Sequence, residues 1–390
     1  MQVYLDNSAT TKPYDKAVDV MTKVLREDFG NPSSLHTLGI AAEKYVKQAR
    51  KSLAQSLGAK EDEVFFTSCG TEADVTALMG VATARKHRGK KIITTKVEHP
   101  AILEPCRKLE SMGYEVEYID VDKKCRLDTE QLKNAVTEDT ILISVMGVNN
   151  EVGTVMPLKE IIQFKDKYNK EHGTEILMHT DAVQAFGKIP LNVNGEHRGI
   201  DLISVSGHKI HGPKGIGGLY IRKGLTVPPL LMGGGQEGHM RSGTENTAGI
   251  AGFGEAVNLT FDNFDERIAK MAAAKTRLLD AIQAEIKDII INSPDDAAPS
   301  VLNISFMGTR GEVLLHTLEA DGIFVSTGSA CSSNKKGQSH VLSAMGLKHK
   351  EIEGAIRFSF SEFNTLEEMD YTAEKVKQAV TRFRKLGSFR

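Results

Sequence analysis

Between residues 64 and 221 short apolar runs alternate with helix-length stretches, and this rhythm constrains the fold more than any other feature of the chain. Val64-Phe65-Phe66-Thr67, Ile92-Ile93-Thr94-Thr95, residues 116–121, Ile141-Leu142-Ile143-Ser144-Val145, and residues 176–180, 202–205 and 218–221 read as strands. Between them, segments such as 72–86, 101–112 and 158–171 read as helices. Strands separated by helices imply a mostly parallel sheet, because a parallel neighbour is reached only by a crossover connection. Residues 141–145 are apolar on both faces, as in a strand covered on both sides. Helices are expected over 14–28 and 40–57, the second stopped by Gly58. After about residue 260 the pattern changes to a long charged helix (264–286), strands near 301–306 and 323–326, and a last helix over 366–386. The expected fold is α/β: a large domain over residues 15–260, and a smaller α+β domain built from 1–14 and 261–390.

With 40% hydrophobic and 26% charged residues among 390, the chain has the composition of a folded protein. Forty-nine Lys and Arg against 51 Asp and Glu leave a formal charge of −2, so no global field draws it to nucleic acid or an anionic membrane. No apolar run approaches the roughly 18 residues of a membrane span. Residues 1–7 lack a basic segment followed by an apolar one, so the expected location is the cytoplasm. Cys69, Cys106, Cys125 and Cys331 share no paired spacing and read as thiols.

In open α/β sheets ligands bind beyond the carboxyl ends of the strands. Ser68-Cys69-Gly70-Thr71-Glu72 occupies such a position, either as an ordinary helix cap or as a set of backbone N–H groups for an anion such as phosphate. His99 precedes Pro100 at another, and Asp181 and Gln184 follow a strand at a third. Asp181 there either caps a helix or holds a positive ring nitrogen. The fourth is Ser206-Gly207-His208-Lys209, where a lysine among small residues is costly to bury unless it loses its charge or forms a bond. Other templates fit worse. Gly207 to Gly212 has P-loop spacing, but Pro213 stands in place of the lysine. His208 and His211 lack a third zinc ligand at metal spacing. Pyridoxal phosphate needs a lysine for its aldehyde, an acid for its ring nitrogen and donors for its phosphate. Lys209, Asp181 and the loop at Thr71 supply all three roles from separate segments.

Motifs along the whole chain then resemble one family, the cysteine desulfurases of the NifS/IscS type, which are pyridoxal-phosphate enzymes of fold type I. They are Tyr4-Leu5-Asp6-Asn7-Ser8-Ala9-Thr10-Thr11, Phe29-Gly30-Asn31-Pro32-Ser33-Ser34, Glu98-His99-Pro100, Val148-Asn149-Asn150-Glu151-Val152-Gly153, Ser206-Gly207-His208-Lys209, Met240-Arg241-Ser242-Gly243-Thr244 and Gly328-Ser329-Ala330-Cys331-Ser332-Ser333. The resemblance implies that Lys209 binds the cofactor's aldehyde and that His99 stacks on its ring and moves protons. It implies Asp181 at the ring nitrogen, Gln184 at the ring oxygen, and Gly70, Thr71, Ser206 and His208 at the phosphate. Thr244 matches a phosphate contact that comes from the other subunit of a dimer. Asn150 matches a cofactor-site asparagine, Arg357 the arginine that holds the substrate carboxylate, and Cys331 the cysteine that accepts sulfur.

The implied reaction converts L-cysteine to L-alanine and leaves a persulfide on Cys331, for delivery to an iron–sulfur scaffold or a tRNA-thiolation enzyme. The small polar residues around Cys331 predict a mobile surface segment. A class V aminotransferase would share Lys209 and Asp181 without needing Cys331, a selenocysteine lyase would share nearly every residue, and a silent sulfur-carrier subunit would keep only the fold. Two departures from the family pattern stand out. Asp74-Val75 follows Thr71-Glu72 where relatives often carry Asn, and the stretch after Arg357 reads Phe358-Ser359-Phe360-Ser361-Glu362, where IscS-like members place Gly-Arg before the next phenylalanine.

Overall fold

The computed structural model describes residues 1–327, 338–385 and 387. Among them lie twelve strands: β1 (Val3–Tyr4), β2 (Val64–Thr67), β3 (Lys91–Thr95), β4 (Glu115–Ile119), β5 (Thr140–Ser144), β6 (Leu177–Asp181), β7 (Leu202–Ser206), β8 (Gly217–Ile221), β9 (Ile289–Ile291), β10 (Val301–Phe306), β11 (Ile323–Phe324) and β12 (Ala355–Ser359). The α-helices of the first part are α1 (Asp15–Arg26), α2 (Thr37–Leu57), α3 (Gly70–Arg85), α4 (Pro100–Ser111), α5 (Thr129–Ala135), α6 (Leu158–His172) and α7 (Thr247–Asp262). Those of the second are α8 (Phe264–Glu285), α9 (Gly311–Ala320), α10 (His340–Ala344), α11 (His349–Glu353) and α12 (Leu366–Lys385).

Seven strands form one sheet in the order β2-β8-β7-β6-β5-β3-β4. The run from β7 through β6, β5 and β3 to β4 is parallel, and β8 is antiparallel to both of its neighbours. Alternation along the strands feeds two cores. Ile93, Ile143, Met178 and Ile203 pack on one face with Val46 and Leu53 of α2, Ile161 of α6 and Phe253 of α7. Ile92, Leu142, Leu177 and Leu202 pack on the other with Ala77 and Leu78 of α3 and Ile102 and Cys106 of α4. A sheet covered on both faces explains why its central strands carry no polar face, as expected for residues 141–145.

The second part of the chain builds a three-stranded antiparallel sheet, β12-β10-β9. β1 pairs with β11, so Val3 and Leu5 join a core with Leu278, Ile304, Phe358 and Val376. The expected helices and strands are present within a few residues, and Gly58 ends α2 in the left-handed region at φ 69°.

α7 was not marked by any amphipathic stripe, because it is buried between α1 and α2 and apolar nearly all round. Its glycines permit that approach. A Cβ on Gly252 would sit 2.8 Å from Met21 Sδ, and one on Gly254 would sit 2.7 Å from Ala49 Cα. The three residues of β9 and the seven of α5 are likewise too short to leave a period.

Candidate active site

The carboxyl ends of β2, β3, β5, β6 and β7 surround one cavity of about 240 Å³. Its lining includes Gly70 and Thr71 after β2, His99 after β3, Asn150 after β5, and Asp181 and Gln184 at the end of β6. Ser206, His208 and Lys209 enter from the end of β7, and Arg357 from β12 of the second sheet. Ser8, Ala9, Asp74 and Met146 complete much of the wall. Parallel pairing accounts for this gathering: β6 and β7 run side by side with Asp181 opposite Ser204, so their ends open on the same edge.

Lys209 follows β7 on a single 3₁₀ turn, Gly207–Lys209. Its Nζ donates to Ser8 O at 2.5 Å and Ala9 O at 2.9 Å. Asp181 is the last residue of β6, one position deeper in the strand than the sequence reading set it. Its Oδ1 accepts the Val183 N–H at 2.8 Å. Burial pushes its carboxyl up to about 6, against the Val183 bond and the charge of Lys209. His99 caps α4: its Nδ1 accepts the Ala101 N–H at 3.1 Å, which places the ring proton on Nε2. Burial first, then Lys209 and His340, lower its pKa to about 4, so the ring is neutral near pH 7. Arg357 donates from Nη1 to Asn150 O at 3.0 Å and from Nη2 to Asp6 Oδ1 at 2.9 Å.

α3 starts at Gly70, two residues earlier than the sequence pattern suggested, because Cys69 is its cap and accepts the Glu72 N–H on sulfur. Gly70 and Thr71 are thus the first two helical residues, whose N–H groups have no intrahelical acceptor. Glu72 accepts the Ser68 N–H and pairs with Arg241, tying the loop that carries Thr244 to this helix start. Thr244 itself is exposed and does not line the cavity. Cys331 lies outside the described residues. Both neighbouring stretches are anchored at the cavity: Ser326 exchanges backbone hydrogen bonds with Arg357, Ser339 donates to Glu151 at 2.5 Å, and His340 contacts Glu98 O at 2.8 Å.

Sequence reasoning noted Asp74 only as a departure from the family pattern and did not assign it to the site, yet its buried carboxyl also lines the cavity. Burial and then the neighbouring Asp181 raise it well above the ordinary range. Its position three residues after Thr71 on α3 was the available signal. His179 sits behind Asp181 between Ser144 Oγ at 2.9 Å and Ser204 Oγ at 3.0 Å, and burial lowers its pKa to about 3.

These residues fit pyridoxal phosphate. Ser206 Oγ is buried with no hydrogen-bond partner among the described residues, next to the Gly70–Thr71 amides, which suits a phosphate. At Gly70 a Cβ would come within 2.6 Å of Val183 Cγ2, so the backbone approach there depends on glycine. Two buried carboxyls, Asp74 and Asp181, share one wall and favour a cation beside them.

The model of the family described as Aminotransferase class-V matches residues 3–372. A protein of Dictyoglomus turgidum named cysteine desulfurase IscS is 42% identical over 390 residues, covering 100% of this chain and 97% of its own. One of the same name from Methanosarcina thermophila is 43% identical over 385 residues, covering 99% and 93%. Among solved structures, a NifS-like protein superposes with a TM-score of 0.91 at 39% identity, over 98% of this chain and 100% of that one. SspA in complex with cysteine gives 0.81 at 32%, over 93% and 100%.

Proposed function

Because the chain belongs to the class-V aminotransferase family, whose members depend on pyridoxal phosphate, we propose that it is a cysteine desulfurase that converts L-cysteine to L-alanine and passes the sulfur to Cys331. The observation that carries this reading is the convergence of Lys209, His99, Asp181 and Arg357 on one cavity from four separate segments.

When bound, pyridoxal phosphate supplies an electron-accepting ring that delocalises negative charge at the substrate's α carbon. In this proposal Lys209 holds its aldehyde carbon, Asp181 pairs with its ring nitrogen and Gln184 serves its ring oxygen. The Gly70 and Thr71 amides, Ser206 and His208 hold its phosphate. Lys209, once released by substrate, takes the α proton, and the carbonyls of Ser8 and Ala9 keep its Nζ at the cavity wall. His99 carries a proton on Nε2 and is neutral near pH 7, so it can give or accept one without first losing a charge. Arg357 binds the substrate carboxylate beside Asn150; its fork already donates to Asp6, and its Nε has no acceptor among the described residues.

Cys331 attacks the substrate sulfur as a thiolate. The carbon–sulfur bond breaks with its electron pair going to carbon, a proton returns to that carbon, and the products are alanine and the Cys331 persulfide. Three residues separate Cys331 from Thr327, so the four steps between them reach at most about 14 Å. The hydrogen bonds of Ser326 with Arg357 start that span at the substrate carboxylate site.

The reading includes a homodimer in which Thr244 serves the partner's phosphate. Its support is that Thr244 lies outside its own chain's cavity, in a groove shared with exposed Leu25 and Phe29, near exposed Met232. It also includes the domain division at residues 14 and 260, a cytoplasmic location, and a sulfur-acceptor protein such as an iron–sulfur scaffold or a tRNA-thiolation enzyme. Among the described residues no helix is long and apolar enough to cross a membrane. The deciding experiment incubates purified protein with L-cysteine and a thiol reductant. Alanine and sulfide in equal amounts support the desulfurase; a keto acid in place of alanine supports an aminotransferase and refutes it.

A further inference from the structure

Lys188 is a buried ionisable group that the proposed chemistry leaves unused. It lies in the segment after β6, only 5% exposed. Lysine is strongly hydrated, so an ammonium in the interior is costly, and a space-filling role alone would favour Met or Leu. Its Nζ donates to Gln184 Oε1 at 2.9 Å. Nε2 of the same amide donates to Ser8 O at 2.9 Å, the carbonyl that also accepts Lys209 Nζ at 2.5 Å. Ser8, Gln184 and Lys209 line the cavity, whereas Lys188 stands behind them. One continuous run of polar groups therefore joins Lys188 to Lys209.

The two ends of a glutamine amide are chemically opposite: the oxygen only accepts and the nitrogen only donates. A lysine nitrogen offers N–H groups, so it selects Oε1. With Oε1 engaged at the back, Nε2 is the end turned toward Ser8 and the cavity wall. We infer that Lys188 is a positioning residue that locks the Gln184 amide with its N–H toward the cofactor site and sets a second amino group behind Lys209. The inference rests on the cofactor reading above. The chemistry recognised by such an N–H is an anionic oxygen, as on the cofactor's ring. Burial and the nearby charges of Lys209, Arg267 and Arg357 bring the Lys188 pKa down to about 7, with Glu362 acting the other way. Charged or neutral, the group keeps an N–H for Gln184.

The test is a visible-absorbance pH titration of the yellow cofactor in the loaded enzyme. Lys188→Met keeps the stem and removes the donor. The Gln184 amide is then free to turn, a nearby amino group is gone, and both changes make protonation at the Lys209 nitrogen easier. The midpoint should rise by about one pH unit, a tenfold change in proton affinity. In a Gln184→Ala background Lys188→Met should shift the midpoint by clearly less, because only the loss of the amino group remains once the amide is absent. A wild-type midpoint in Lys188→Met, or the same shift in both backgrounds, would overturn the inference. Should Lys188→Met not fold, Gln184→Glu serves: its carboxylate still accepts from Lys188 but has no N–H for the site. Its midpoint should also rise, and an unmoved one refutes the inference. Borohydride reduction followed by mass spectrometry separates the two layers. A cofactor fixed on Lys209 with an unmoved midpoint sinks the inference alone, whereas a cofactor on another lysine sinks the cofactor reading and the inference with it.

Discussion

Glu362 gathers Tyr14, Arg267 and His211 into one buried cluster, close to Lys209 in sequence through His211. Its Oε1 accepts from Tyr14 OH at 2.5 Å and Arg267 Nε at 2.7 Å. Its Oε2 accepts from Arg267 Nη2 at 3.2 Å and lies 3.3 Å from His211 Nε2, two residues beyond Lys209. Arg267 and Glu362 side chains are each 9% exposed. Glu362→Gln keeps the shape but leaves the Arg267 guanidinium buried without a counter-charge. Breaking one side of a buried pair costs about 3–5 kcal/mol, and glutamine's remaining oxygen still accepts from Arg267, so about 3 kcal/mol is expected. Burial alone would raise the Glu362 carboxyl, but the hydrogen bonds from His211 and Arg267 and their charges override it and hold it well below the ordinary range. The sign follows from that depression. The folded state binds the proton more weakly than the unfolded chain, so the stabilisation is complete above the unfolded value near 4.3 and is lost as pH falls below it. Urea titrations followed by circular dichroism should show a lower midpoint for Glu362→Gln at pH 7, and a gap to wild type that narrows below about pH 4.3. Equal midpoints at pH 7, or a gap unchanged down to pH 3, would refute the argument.

Asp181→Ala should cut alanine formation roughly a hundredfold or more while leaving the thermal midpoint nearly unmoved, because the carboxyl is held against a burial cost and its proposed work is electrostatic. Normal turnover would remove it from the ring nitrogen. Gly70→Ala places a methyl 2.6 Å from Val183 Cγ2, and equilibrium dialysis should show cofactor affinity falling about tenfold with the fold intact. Cys331→Ala should keep its yellow colour and its spectral response to L-cysteine but release almost no alanine; in wild type, alkylation and mass spectrometry should find the extra sulfur on Cys331, and finding it on Cys69 would contradict the proposal. Light scattering should give a dimer, and Phe29→Glu with Met232→Glu should shift it toward monomer, since both side chains are exposed near Thr244.

Most of the sheet was legible because its strands are buried on both faces and its helices bury one stripe, so both periods are written in the residues. α7 was not, since a helix enclosed by α1 and α2 has no polar side to set a period. Lys209, Asp181 and the Gly70–Thr71 turn were legible from strand ends, where a polar residue interrupts an apolar run. Asp74 and Lys188 were not, because each sits inside a helix or loop where a charged residue is ordinarily solvated. Only packing reveals that Asp74 faces Asp181's cavity and that Lys188 lies behind Gln184. The consequence of Glu362 was hidden for the same reason: its three partners, Tyr14, His211 and Arg267, are 95 or more residues away in sequence.

Four ionisable groups of the cavity share a direction. Burial lifts the acids Asp74 and Asp181 and lowers the bases His99 and His208, so each is pushed toward its neutral form. A wall biased this way binds charge through fixed dipoles and through whichever group a ligand re-ionises. The Gly70 and Thr71 amides and the Ser206 hydroxyl offer donors to an anion at one end. Asp181, raised by burial to about 6, is mostly ionised near pH 7, and a cation beside it would keep it ionised to lower pH. A ligand carrying a phosphate and a protonated ring nitrogen answers both ends at once, and the two ends are set by different strands, β2 and β7 for the first and β6 for the second. Arg357 reaches the cavity from β12, in the other sheet, so the substrate contact proposed for it depends on how that sheet is held against the first. Five residues beyond Arg357, Glu362 reaches across to His211, and its partners Arg267 and Tyr14 bond to Gly187 O and His211 O on the same far side, so the placing of Arg357 depends on a cluster outside the cavity lining.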